Sequence, residues 1–104
     1  MGGSAEVEIK IGYPALFNDP ELTVRSKELA IEYLGAENVI DLNQRTTAED
    51  FAYFAQQYPG CFYRLGTASP DGACSAPVHN SEFNIDENAL VIGVGLMAFL
   101  ATQR

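Results

Sequence analysis

Apolar and polar residues alternate strictly at the start of the chain. Ala5, Val7, Ile9 and Ile11 fall on one side of an extended backbone, Glu6, Glu8 and Lys10 on the other. That period predicts a strand over 5–11 with one wet face, as in an antiparallel sheet. No second strand of the same kind follows it. The period then changes. Asn18 or Asp19 caps a helix over 20–34, with Pro20 in its first turn and Gly35 at its end. Leu22, Leu29, Ala30, Tyr33 and Leu34 form its apolar face. A short strand is expected over 38–42, and Asn43-Gln44-Arg45 links it to the next element. Ala48, Phe51, Ala52, Ala55 and Tyr58 recur at helical spacing, so a helix is expected over 47–57. Thr46 and Glu49 have capping-box spacing at its start, and Pro59-Gly60 stops it. Residues 61–65 read as a third strand.

The stretch 67–82 is the least regular, and a loop of this length in a compact domain is usually functional or disordered. A last helix is expected over 86–102, starting near Asn84 or Asp86, and Asn84 and Glu87 have capping-box spacing. From Ala89 to Ala101 that helix is apolar on nearly every side, the pattern of a buried helix. Gly93 and Gly95 lie inside it and follow no strand. They read as points of close packing rather than a phosphate loop. The order strand, helix, strand, helix, strand, loop, helix predicts an α/β fold, with helices packed on a small mixed sheet.

Composition narrows the function. The chain has 104 residues and a formal charge of −8. That balance argues against nucleic acid and anionic membrane surfaces as partners, since both need a basic patch. The longest apolar run is too short to span a bilayer. No signal peptide is visible, so a cytoplasmic location is expected. Cys61 and Cys74 do not make a disulfide framework and are expected to be reduced. Arg64 reads as a solvated or paired strand charge.

Three residues carry candidate chemistry: Glu49 and Asp50 at a helix start, and His79, the only histidine. Read on their own, each has a plain explanation. Glu49 completes a capping box, Asp50 is a first-turn acid suited to the helix dipole, and His79 is a loop imidazole bonded to nearby backbone. A self-contained metal site from Asp71, Cys74, His79 and Glu82 matches no common zinc spacing.

Taken together, the motifs resemble a known family. Gly-Tyr-Pro at 12–14 with Asn18-Asp19 after it is followed by Ala48-Glu49-Asp50-Phe51-Ala52-Tyr53. Then come Pro59-Gly60 leading to Leu65-Gly66, and His79 before Phe83-Asn84-Ile85-Asp86-Glu87. Nearly the whole chain, in this order, is similar to the C-terminal part of the zinc-dependent amidohydrolases and carboxypeptidases. These include hippurate hydrolase, bacterial aminoacylases and auxin-conjugate hydrolases.

The resemblance implies a two-domain metallohydrolase with two divalent metals, usually zinc. Residues 1–12 would hold the last strand of the inserted lid and dimerisation domain. Residues 13–104 would be the C-terminal part of the catalytic domain. His79 falls on the family's last metal ligand. Glu49 and Asp50 fall on its site-adjacent Glu-Asp pair, their role open. The implied substrates are N-acyl amino acids or small peptides, attacked by a metal-bound hydroxide.

The family's other ligands and its general base have no counterpart here, and catalytic zinc needs about three protein ligands. The chain is therefore expected to be a fragment, inactive and metal-free alone. An orphan strand and a buried-type helix lacking cover predict a homo-oligomer. The alternative is a non-catalytic α/β module that keeps only the shape and serves binding or assembly.

Overall fold

A computed structural model describes residues 2–103. The first long helix, α1, spans Pro20–Leu34, as the periodicity predicts. Its cap is Asp19, whose carboxylate accepts from the Leu22 N–H at 2.8 Å. A single 3-10 turn, Ala36–Asn38, follows Gly35, whose φ of 89° is open to glycine and costly for other residues. Helix α2 is Phe51–Ala55, and α3 is Asn88–Thr102.

Helix α2 is shorter than the 47–57 expected. The Thr46–Glu49 capping box does not form; Glu49 Oε1 instead accepts from the Phe51 N–H at 3.1 Å. The backbone after Ala55 tightens, with Gln57 and Tyr58 both donating to the Phe54 carbonyl. At α3 the expected Asn84–Glu87 box is also absent. Asp86 takes its place and accepts from the Asn88 backbone at 3.0 Å and from the Asn88 side chain at 2.9 Å.

The expected sheet is not present. Segments 5–11, 38–42 and 61–65 form no strand ladder among the described residues, and the architecture is helices joined by long extended segments. The physical reason is the lack of a partner. Alternation fixes which way side chains face, but a strand exists only when another backbone takes up its N–H and C=O groups. Val7, Ile9 and Ile11 are 78%, 84% and 98% exposed, so the apolar face at 5–11 has nothing to cover it.

What packs is a seam between α1 and α3. Tyr33 and Phe99 stack with ring centroids 5.3 Å apart, and Leu96 is 3% exposed at the centre. Gly95 lets the Tyr33 ring lie against the α3 backbone, for a Cβ there would run into the Tyr33 hydroxyl. A Cβ on Gly93 would meet Leu65 Cδ2 at 2.8 Å. Both glycines are thus close-packing positions, against a helix and an extended segment rather than a sheet.

A second seam joins the start of α1 to 60–62. Asp19 N–H donates to the Gly60 carbonyl at 2.8 Å. The Asn18 amide accepts from Phe62 N–H at 2.8 Å and donates to the Phe62 carbonyl at 2.9 Å. Phe51 lies over Gly60 and stacks on Phe62 at 5.8 Å, which seats fully buried Ala52. No helix among the described residues is long and apolar enough to cross a membrane.

Candidate functional site

Glu49 and Asp50 stand at the entry to α2, whose first residue, Phe51, packs against Phe62. Glu49 is half-buried and its carboxylate is spent on the Phe51 N–H. Asp50 is exposed, and its side chain makes no capping bond to α2.

His79 sits in the loop before α3, exposed, with a φ of 64°. Few side chains accept that left-handed backbone, though histidine is enriched there. The turn is held by its neighbours: Asn80 Oδ1 accepts from Glu82 N–H at 2.8 Å, and its carbonyl accepts from Phe83 N–H at 3.0 Å. Among the described residues, no hydrogen bond or ion pair joins His79 to Glu49 or Asp50.

The metal implied by the family resemblance can be tested against these residues. Among those described, no three of His, Cys, Asp or Glu come together in a group able to hold a metal ion. They do not fit a complete metal centre. The set Asp71, Cys74, His79 and Glu82 fails in the same way.

Asp71 and Cys74 belong to a self-satisfied turn. The Ser69 hydroxyl donates to Asp71 Oδ1 at 2.5 Å and accepts from Cys74 N–H at 2.9 Å, while Ala73 N–H donates to the same Asp71 oxygen at 3.0 Å. The Ser69 bond, then the Ala73 bond, hold the Asp71 carboxyl below its ordinary range. This turn and the start of α3 border a shallow depression of about 610 Å³.

A larger groove of about 670 Å³ went unforeseen. Residues 39–42 and 61–66 line it together with α1, and Leu96 and Leu100 of α3 contribute as well. The only trace in the sequence is two short apolar runs, each lacking a strand partner. Lys27 and Arg64 supply its positive charges, and Lys27 is bonded to Asp41 at 2.7 Å. Arg64 is exposed and has no carboxylate partner among the described residues. Tyr63 also borders the groove. Burial, and less strongly the neighbouring Cys61 thiol, push its phenol above the ordinary value. Both cysteines are free.

Comparison with known proteins gives the frame for these residues. The family model described as Peptidase family M20/M25/M40 matches residues 3–103. Thermostable carboxypeptidase 2 of Saccharolobus solfataricus is 34% identical over 103 residues, covering 98% of this chain and 25% of that protein. An IAA-amino acid hydrolase of Arabidopsis thaliana is 31% identical over 91 residues, 88% of this chain and 21% of its own length. N-acetyldiaminopimelate deacetylase of Shouchella clausii is 32% identical over 93 residues, 88% of this chain and 23% of its own. The chain thus spans about a quarter of the length of these curated relatives. No solved structure matches it.

Proposed function

The chain belongs to the peptidase family M20/M25/M40, and from that membership we infer that it is the C-terminal part of a metal-dependent hydrolase of N-acyl amino acids or small peptides. The carrying observation is the match over 3–103, shared with relatives named carboxypeptidase, amino acid hydrolase and deacetylase. These names have one reaction in common, hydrolysis of an amide at an amino acid.

In this reading His79 contributes one imidazole to a metal, zinc in the first instance, whose other ligands come from residues outside this chain. An exposed loop imidazole suits that task, because it can turn toward a neighbouring element without disturbing a core. Glu49 and Asp50 border the substrate side. Among the described residues no three of His, Cys, Asp or Glu come together, whereas a catalytic zinc takes about three protein ligands.

The test is a chimera. Residues 3–103 replace the matching stretch of Thermostable carboxypeptidase 2, and the product is assayed on N-acyl amino acids and dipeptides with metal content measured alongside. The reading expects hydrolysis that falls by orders of magnitude on His79→Ala, with loss of bound metal. A folded chimera that retains full activity after His79→Ala would sink the role given to His79. A folded chimera with no activity would favour a module that keeps only the shape.

A further inference from the structure

Among the described residues, His79 is the one residue other than glycine with a positive φ, at 64°. L side chains rarely adopt that backbone, so the chain around it must hold it there. The next residue is built to do so. Asn80 Oδ1 accepts from the Glu82 N–H at 2.8 Å, and the Asn80 carbonyl accepts from the Phe83 N–H at 3.0 Å. The first bond is the turn that asparagine makes to its own backbone two residues on. The second closes a β-turn over 80–83, with asparagine at its favoured first position. The loop is also tied at its base, where the Asp86 N–H donates to the Thr67 carbonyl at 2.9 Å. The chain leaving Asn80 therefore has a set direction and a set end point. His79 is the joint at which the incoming segment, 75–78, meets that direction.

We propose that Asn80 is the positioning residue for His79: its side-chain bond to Glu82 holds the turn that keeps His79 left-handed, and so sets where the imidazole points. This rests on the reading of His79 as a metal ligand. The link between the two residues is geometric. φ is the torsion about the N–Cα bond. When His79 relaxes from 64° to the negative φ of ordinary residues, its Cα–Cβ bond swings about that axis and carries the ring with it. An exposed imidazole has no packing to resist the swing. Its aim is therefore fixed by the backbone, and the backbone by the turn that follows.

Asn80 is exposed as well, so replacing it removes the bond and little packing. The test compares Asn80→Ala, which loses the acceptor, with Asn80→Asp, which keeps it. The first measurement is made by NMR on the 104-residue chain. It reads the NOE between the amide and α protons of His79, which is strong at positive φ because the two protons then lie close. Asn80→Ala should weaken that NOE, and Asn80→Asp should retain it. The second measurement is made on the chimera with Thermostable carboxypeptidase 2, with zinc as the probe and a chelator in competition. Residues that orient a metal-binding histidine are worth about ten- to a hundredfold in metal affinity, so Asn80→Ala should lose that much. Asn80→Asp should stay near the parent, a rescue that a general loss of stability would not give.

An unchanged NOE in Asn80→Ala overturns the proposal and leaves the reading of His79 standing. A weakened NOE with undiminished zinc affinity does the same when His79→Ala loses its zinc. Equal loss of zinc in Asn80→Asp and Asn80→Ala also overturns it, since the acceptor would then not be what matters. If His79→Ala keeps its zinc, or the unmodified chimera binds none, the reading of His79 falls and the proposal falls with it.

Discussion

The Asn18 side chain does for Phe62 what a neighbouring strand would do. Its amide accepts from the Phe62 N–H at 2.8 Å and donates to the Phe62 carbonyl at 2.9 Å. Both polar groups of that residue are thereby satisfied without a sheet. The adjoining bond from Asp19 N–H to the Gly60 carbonyl sets the start of α1 against 60–62.

Asn18→Ala removes both bonds and leaves two partly buried backbone groups unpaired. Each such loss costs about 1–3 kcal/mol where water cannot fully replace it. Part exposure puts the expected total at about 2 kcal/mol. Asn18→Asp keeps the acceptor and loses the donor, so it should fall between. Urea denaturation of the three proteins checks the order. Equal midpoints for Asn18→Ala and the parent would show that the clamp adds nothing.

Gly95 and Tyr33 face each other in the α1–α3 seam. Gly95→Ala gains about 1 kcal/mol of helix propensity. It also drives a Cβ into the Tyr33 hydroxyl and to 3.0 Å from its Cζ. Overpacking of this kind costs about 1–3 kcal/mol, so net destabilisation is expected. Adding Tyr33→Phe removes the hydroxyl and should recover part of the loss. A double-mutant cycle on thermal unfolding measures the coupling. Strict additivity would mean that the two residues do not meet in solution.

How legible this was depends on what each signal measures. The bounds of α1 and, nearly, of α3 could be read in advance, because capping and helical period are local properties of Asp19, Pro20, Gly35 and the 89–101 run. Of the two starts expected for the last helix, Asn84 and Asp86, it is Asp86 whose carboxylate accepts from the Asn88 N–H, a choice between similar side chains that only the chain path decides. The sheet failed for a different reason. Val7, Ile9 and Ile11 report which way a strand would face and say nothing of whether another strand is there. Glu49, Asp50 and His79 were visible through a family resemblance, not through spacing. The groove brings together 39–42, 61–66, α1 and two leucines of α3, a meeting of distant segments of which the sequence shows only the two short apolar runs.

The turn at 69–74 should respond to acid. Asp71 is held below the ordinary carboxylate value by the Ser69 hydroxyl and then by the Ala73 N–H. A carboxyl lowered in the folded state lends its stabilisation above its unfolded value, near 4. That stabilisation is lost as pH falls through the lowered folded value. Carbon-detected NMR titration of Asp71 should give a midpoint below the ordinary carboxylate value, and Ser69→Ala should move it upward. A midpoint unchanged by Ser69→Ala would remove the hydroxyl as the main cause.

The role proposed for His79 can be separated from its structural cost, because its backbone sets a condition that few residues meet. At a φ of 64° a β-branched side chain is strained, whereas asparagine tolerates the left-handed region as well as histidine does. The side chain is exposed, so it carries little packing. His79→Asn should therefore leave stability within about 0.5 kcal/mol of the parent. His79→Val should lose about 1–3 kcal/mol through backbone strain alone. Activity should follow a different order. In the active chimera, both variants lack the imidazole, so both should lose bound metal and fall by orders of magnitude in rate, whatever their stability. Denaturation and amidase assays on the same pair of proteins check this. If His79→Asn hydrolyses N-acyl amino acids at the parent rate while His79→Val fails, the residue serves the turn and not the metal.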